Sequence, residues 1–101
     1  MTFRAVFRPR AAKDIEDAYA WYEAERAGLG EALKAAIEAA VTLLSHNPEF
    51  RPLLYRDLRR VSLRRFPYSL YYRIAGSDLD IVALLHHRRH PRVWRSRGRE
   101  V

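Results

Sequence analysis

Apolar residues recur in the first half of the chain at the spacing of amphipathic helices. Residues 3–8 alternate between apolar and polar side chains, which predicts a short strand. From about residue 10 to 26, and again from about 31 to 46, apolar side chains share one helical stripe. Gly28-Leu29-Gly30 separates the two stretches and Asn47-Pro48 ends the second. These patterns predict a strand followed by a helical hairpin.

Three β-strands are predicted in the second half, over about residues 57–66, 69–75 and 79–87. The turns fall at residues 66–68 and 76–78, which contain Pro67 and Gly76. Connections this short join antiparallel neighbours, so the three strands form a meander. The expected fold class is α+β, in which the helical hairpin packs on one face of a three-stranded antiparallel sheet.

The last strand contains five apolar residues in succession, Ile81 to Leu85. A run without alternation predicts burial on both faces of the sheet. One face would contact the helical hairpin, and the other would contact the C-terminal segment, with Trp94 as its anchor. Trp21 and Tyr22 project about 100° apart on the first helix, so only one ring, that of Tyr22, fits the core. Trp21 is then either a partner anchor or packed within the hairpin.

Length and composition narrow the class of protein. The 101 residues form one domain, 1–101, and contain no cysteine, which excludes disulfides and thiolate metal sites. No apolar run is long enough to span a bilayer and no secretory signal is seen, so we expect a cytoplasmic protein without a membrane segment.

The positive charge lies in the second half of the chain. Residues 1–50 have 6 Lys/Arg and 8 Asp/Glu, whereas residues 51–101 have 13 and 4, which together give the net charge of +7. A polyanion or an acidic partner should therefore meet the second half.

Strand alternation places four residues on the sheet face opposite the hairpin. They are Arg60, Arg64, Tyr71 and Arg73. Such a face could hold phosphates while Tyr71 stacks on a base, or it could be an ordinary solvated face with cross-strand pairs.

The histidines near the C-terminus do not predict a metal site. His86 and His87 are adjacent on a strand and point to opposite faces, so they cannot share one ion without a bulge. His87 or His90 could transfer a proton beside Arg88 and Arg89, or serve as a structural polar residue at a strand end. We expect neither a metal nor a cofactor.

An ordered set of motifs resembles toxins of the RelE/ParE superfamily from type II toxin-antitoxin systems, closest to the ParE or plasmid-stabilisation branch. The resemblance covers nearly the whole chain and implies the same strand, hairpin and meander. It also implies a cognate, ParD-like antitoxin that forms a hetero-oligomer with the toxin. The motifs are Phe7-x-Pro9-x-Ala11-x-x-Asp14-Ile15, Trp21-Tyr22, Gly28-Leu29-Gly30, Arg65-Phe66-Pro67-Tyr68-x-x-Tyr71-Tyr72-Arg73-Ile74 and His86-x-Arg88-Arg89-x-Pro91-x-x-Trp94-x-x-Arg97.

The two branches imply different targets. RelE-like members cleave mRNA on the ribosome with sheet arginines and a tyrosine near the C-terminus; ParE-like members imply inhibition of DNA gyrase by binding. Here Ser69 aligns with one such arginine and no tyrosine follows Tyr72, which favours the ParE-like function.

We therefore expect a non-enzymatic gyrase inhibitor, with an endoribonuclease as the alternative. The expected target contacts are Arg88, Arg89, Trp94 and Arg97. The expected antitoxin contacts are Trp21, Arg60, Arg64, Tyr71 and Arg73. The alternative nuclease set is Arg64, Arg65, His87 and Arg88.

Overall fold

The computed structural model describes residues 2–100, which form three α-helices and a four-stranded sheet. The predicted helices and strands match the observed ones to within about two residues, apart from the first meander strand, and the C-terminal helix was not predicted. The elements are β1 (Arg4–Phe7), α1 (Pro9–Glu25), α2 (Leu29–His46), a 3₁₀ turn (Pro48–Phe50), β2 (Arg59–Ser62), β3 (Tyr68–Ala75), β4 (Asp78–His86) and α3 (Pro91–Gly98).

The strand predicted over residues 57–66 is shorter than expected. Arg56 and Arg65 both have left-handed backbones, with φ of 55° and 72°, and these turns limit β2 to four residues. An isolated bridge between Tyr55 and Leu58 precedes the strand. Most residues of the predicted strand therefore lie in turns, and the remaining four form β2 at the edge of the sheet.

The sheet has the strand order β1-β4-β3-β2. The antiparallel meander of β2, β3 and β4 is confirmed. The N-terminal strand β1 joins the same sheet parallel to β4, with Arg4 opposite Asp78 and Phe7 opposite Ile81. The helical hairpin makes this parallel pairing possible, because it returns the chain from the end of β1 to the far side of the sheet.

The helical hairpin packs on one sheet face, as predicted. Leu33, Ile37 and Leu44 of α2 lie in the same buried cluster as Leu70 and Tyr72 of β3. The Tyr72 hydroxyl donates to the Pro48 carbonyl at 2.7 Å, so the buried phenol is satisfied.

The turn between the helices depends on Gly28, whose φ is +93°. The Glu23 carboxylate accepts hydrogen bonds from the Gly28 and Gly30 amides at 2.9 and 2.8 Å. One side chain of α1 thus satisfies two free N–H groups at the start of α2.

A β-bulge in β4 explains why its apolar run lacks alternation. Tyr71 lies opposite Ala83 and Tyr72 opposite Ile81, so Val82 is an extra residue in β4. Ile81 belongs to the core under the hairpin, whereas Val82 and Ala83 belong to the cluster on the other face. The predicted burial of this strand on both faces is confirmed.

Helix α3 covers the sheet face opposite the hairpin. Trp94 is 8% exposed and its ring stacks on Tyr71, with centroids 6.2 Å apart and planes 19° apart. Leu58, Val82 and Leu85 complete this second cluster. The prediction that Trp94 anchors the C-terminal segment on this face is confirmed.

An ion pair between Asp14 of α1 and Arg97 of α3 joins the two layers across the bulge. The Arg97 guanidinium donates to the Asp14 carboxylate at 2.8 Å and to the Val82 carbonyl at 2.9 Å. The same carboxylate accepts the Leu84 amide hydrogen at 3.1 Å. Strand β1 ends at Phe7, opposite Ile81, so it leaves the next backbone groups of β4 without a strand partner. The side chains of Asp14 and Arg97 bind these groups instead.

Replacing Asp14 by asparagine should lower the free energy of unfolding by about 3 kcal/mol, because it removes the nearer of the two carboxylates that pair with the buried Arg97, at 2.8 Å against 3.5 Å for Glu100. Denaturant unfolding of the purified chain measures the loss. Asp17→Asn is the matched control, since the exposed Asp17–Lys13 pair on the same helix should contribute less than about 0.5 kcal/mol. Equal losses for the two variants would contradict a special role for Asp14.

Candidate functional surfaces

Two of the four residues expected on an open sheet face are covered. Tyr71 is 3% exposed beneath Trp94. Arg73 is also buried, and its guanidinium donates to the Gly98 and Glu100 carbonyls at 2.5 and 3.1 Å and to the Asp57 carboxylate at 3.1 Å. Arg73 thus binds the free carbonyls at the C-terminal end of α3. Of the two alternatives for this face, an open phosphate-binding surface does not fit Tyr71 and Arg73, because α3 covers them.

The other two residues of that set, Arg60 and Arg64, are exposed. The Arg60 guanidinium lies 5.9 Å from the centroid of the Trp94 ring, which gives a cation–π contact at the edge of α3. Arg64 lies beyond β2, in the turn that leads to β3, and lines a groove against α2. The four residues therefore lie in three different environments and do not form one surface.

The four expected target contacts also divide into two pairs. Trp94 and Arg97 are inside the protein, with Arg97 only 3% exposed. Arg88 and Arg89 are exposed in the turn between β4 and α3. Both side chains hold α3 on the sheet, so the structure gives no support for a direct partner contact by Trp94 or Arg97, and their part in target binding stays a prediction.

Two histidines shape the turn that presents Arg88 and Arg89. The Nδ1 atom of His86 accepts the Arg88 amide hydrogen at 3.0 Å. The Nδ1 atom of His90 accepts the Arg92 amide hydrogen at 3.0 Å and caps the N-terminus of α3. Both rings therefore present an unprotonated Nδ1 to the backbone. Among residues 2–100, no three potential metal ligands from histidine and the carboxylates lie together.

The alternative nuclease residues lie at one end of the sheet. The His87 amide donates to the Pro67 carbonyl at 2.8 Å, which joins the turn after β4 to the turn after β2. His87 and Arg88 are exposed in the first of these turns, and Arg64 and Arg65 in the second.

A groove of about 510 Å³ lies between α2 and the edge strand β2. Its α2 wall is almost all alanine, with Leu43 more than half exposed at one end. Arg64 and Arg65 lie at its rim. Sequence reasoning missed this groove, although the second apolar stripe of α2 was a visible signal. The stripe consists of Ala32, Ala35, Ala36, Ala39 and Leu43.

A smaller cleft, of about 270 Å³, lies beside Trp21. Trp21 is 58% exposed and contacts Tyr22 edge-on, with ring centroids 5.0 Å apart. Trp21 is therefore not packed within the hairpin, which leaves its ring open to a partner. Tyr22 packs inward on Phe66, with ring centroids 5.1 Å apart. Arg89 and His86 line the opposite side of this cleft.

The arrangement of a helical hairpin, a four-stranded sheet and a C-terminal helix, together with the basic turns, defines a small toxin-like α+β domain of the RelE/ParE type. Over residues 5–91 the chain matches the family model described as ParE toxin of type II toxin-antitoxin system, parDE, and it belongs to this family.

A solved structure, described as the chromosomal ParDE toxin-antitoxin system from P. aeruginosa, has a similar fold. The TM-score is 0.70 at 24% identity, over 84% of this chain and 96% of that chain. A search of curated proteins gave no match.

The protein is therefore a ParE-type toxin of a type II toxin-antitoxin system, and this class implies an antitoxin partner. None of the helices within residues 2–100 combines the length and apolar character needed to cross a membrane.

Substitution of Trp94 by alanine should reduce the free energy of unfolding by about 3 to 4 kcal/mol, because it removes the centre of the second core cluster. The double change Arg88→Ala/Arg89→Ala should alter it by less than about 0.5 kcal/mol, because both side chains are exposed. Denaturant unfolding compares the variants, and a stable Trp94→Ala protein would show that this ring is free for partner contact.

Proposed function

We propose that this toxin inhibits DNA gyrase by binding to it in the cytoplasm, and that it has no nuclease activity. Membership in the ParE family supports this target. The observation that carries the proposal is the position of α3, whose Trp94 ring lies flat on Tyr71 and covers the sheet. A nuclease that used this face would need it open to a scissile phosphate. Binding through exposed turns requires no such opening. The alternative set of Arg64, Arg65, His87 and Arg88 lies outside this face, in exposed turns at one end of the sheet, and the mRNA experiment below tests it.

We assign the target contacts to Arg88, Arg89 and Trp21. Arg89 and Trp21 line the same small cleft, so an exposed indole and a guanidinium border one opening. Tryptophan and arginine are the side chains most enriched among residues that dominate binding energy. Trp94 and Arg97 contribute indirectly, because they fix α3 and thereby the turn that precedes it.

The double change Arg88→Ala/Arg89→Ala should weaken inhibition of gyrase supercoiling by at least about tenfold, because it removes two cations from the proposed contact. Supercoiling and cleavage-complex assays with purified toxin measure the effect. Arg26→Ala/Lys34→Ala removes the same charge from exposed positions on the hairpin and should leave inhibition unchanged.

Failure of the unmodified toxin to inhibit gyrase at high concentration would contradict the proposed target. Cleaved mRNA after induction, together with normal gyrase activity, would instead support the nuclease set of Arg64, Arg65, His87 and Arg88.

We further propose that the antitoxin binds in the groove between α2 and β2. The groove has an apolar wall, a flanking edge strand that pairs with no strand on its outer side, and two arginines at its rim. An apolar segment with acidic side chains would complement all three features, whether it adds a strand or lies in the groove as a helix. Of the antitoxin contacts expected from sequence, Arg64 fits this site, whereas Tyr71 and Arg73 are covered by α3.

Ala39→Glu places a carboxylate on the α2 wall of the groove and should weaken antitoxin binding by at least about tenfold. The carboxylate would lose its hydration when the apolar segment binds, and it would repel the acidic side chains of that segment. Ala20→Glu, at an exposed position of α1, is the matched control and should bind normally. Calorimetry with the purified antitoxin measures the affinities. Equal binding by both variants would exclude this groove.

A further inference from the structure

We propose that the outer face of α3 and the neighbouring loop and strand bind the phosphate backbone of duplex DNA. This surface, called here the arginine face, is distinct from the antitoxin groove and from the cleft beside Trp21. It consists of five exposed residues, Arg56, Arg60, Arg92, Arg95 and Arg99.

The buried residues of α3 and its exposed arginines lie on different sides of the helix. Trp94, Arg97 and Gly98 are the buried residues of the helix. Arg92, Arg95 and Arg99 are spaced three and four residues apart, so they share the opposite, exposed side. At a rise of about 1.5 Å per residue, the row extends about 10 Å along the helix, which is comparable with the width of a DNA groove.

No acidic residue described in the structure forms an ion pair with the arginine face. The nearby carboxylates are bound elsewhere, because Asp57 pairs with Arg73 and Glu100 pairs with Arg10 and Arg97. Arg60 and Arg95 both lie near the Trp94 ring, with guanidinium carbons 5.9 and 5.4 Å from its centroid. Arg56 and Arg99 line a cavity that also contains carboxylates, but those of Asp57 and Glu100 are paired with other arginines. The face therefore has an excess of positive charge that a row of phosphates would neutralise.

The pKa of the Tyr55 phenol is lowered by two arginines of the same face. Burial acts to raise its pKa, but a hydrogen bond from Arg99 and the charges of Arg56 and Arg99 outweigh that effect and leave the pKa below its usual value. The Arg56 guanidinium lies 5.4 Å from the Tyr55 ring centroid.

The surface has the composition of a nucleic-acid contact rather than a protein contact. Of the six large exposed hydrophobic side chains within residues 2–100, five lie on β1, α1, α2 and the 3₁₀ turn, and only Leu53 lies in the loop beside Arg56, so the arginine face lacks the broad apolar centre of a typical protein interface. Trp94 and Tyr71 are buried, and Arg56 lies over the partly exposed ring of Tyr55. With no fully open ring on which bases could stack, the face suits the backbone of a duplex better than a single strand. The inference does not depend on gyrase as the target.

Fluorescence anisotropy of the full-length toxin, free of antitoxin, with a labelled duplex of about 20 base pairs tests the proposal. Binding should weaken with salt, and the double change Arg95→Gln/Arg99→Gln should lower the affinity by about tenfold and reduce the salt slope by about two. The control Arg26→Gln/Lys34→Gln, which removes equal charge from the hairpin, should bind within about twofold of the unmodified chain.

Three results would overturn the proposal. The first is either no duplex binding at about 50 mM salt or an equal loss of affinity in the control variant. The equal loss would mean that the duplex is attracted non-specifically to a basic protein. The second is tighter binding of the same residues to duplex or single-stranded RNA of matching sequence. The third is unchanged duplex binding by Arg95→Gln/Arg99→Gln together with weaker antitoxin binding in calorimetry, which would assign the arginine face to the antitoxin.

Discussion

The structure depends on the buried ion pair between Asp14 and Arg97. Removing two charges from water costs more than their attraction returns unless the remaining hydrogen-bonding groups are also satisfied. Here both side chains also bind the backbone of β4, at the Leu84 amide and the Val82 carbonyl, next to the bulge. The Arg97 Nε is the exception, because it is buried without a hydrogen-bond partner among residues 2–100 and lies 3.5 Å from the Glu100 carboxylate. Each of the two backbone groups would cost about 1 to 3 kcal/mol if left buried and unpaired. The pair therefore stabilises the bulged strand and holds α1 and α3 on opposite faces of one sheet.

Arginines that look equivalent in the sequence perform different tasks in the folded protein. Arg97 spans the two layers and Arg73 binds the C-terminal carbonyls of α3, so neither is available to a partner. Arg8 makes a two-point ion pair with Asp80 at 2.9 to 3.1 Å, which ties the end of β1 to β4. The strongly basic composition thus reflects internal architecture as well as external recognition. The exposed arginines are the ones that can contact a partner directly.

Periodicity predicted the elements well because their apolar residues are large and regularly spaced. It could not predict that β1 pairs parallel with β4, since alternation identifies a strand and not its neighbour. It also missed α3, whose inward stripe of Trp94, Arg97 and Gly98 contains an arginine and a glycine and so lacks an apolar pattern. The consequences were the wrong environments for Tyr71 and Arg73. The groove between α2 and β2 was missed because its α2 stripe is mostly alanine, which gives a visible but weak hydrophobic pattern.

The topology offers a simple route from antitoxin binding to neutralisation. The turn after β2, which carries Arg64 and Arg65 at the rim of the groove, is hydrogen-bonded through Pro67 to His87. His87 directly precedes the cations that we assign to the target. A segment that fills the groove and continues over this end of the sheet would reach the turn that presents them. Competition for one end of the sheet would then neutralise the toxin without any change in its fold, and the rigidity supplied by α3 would keep both surfaces in place.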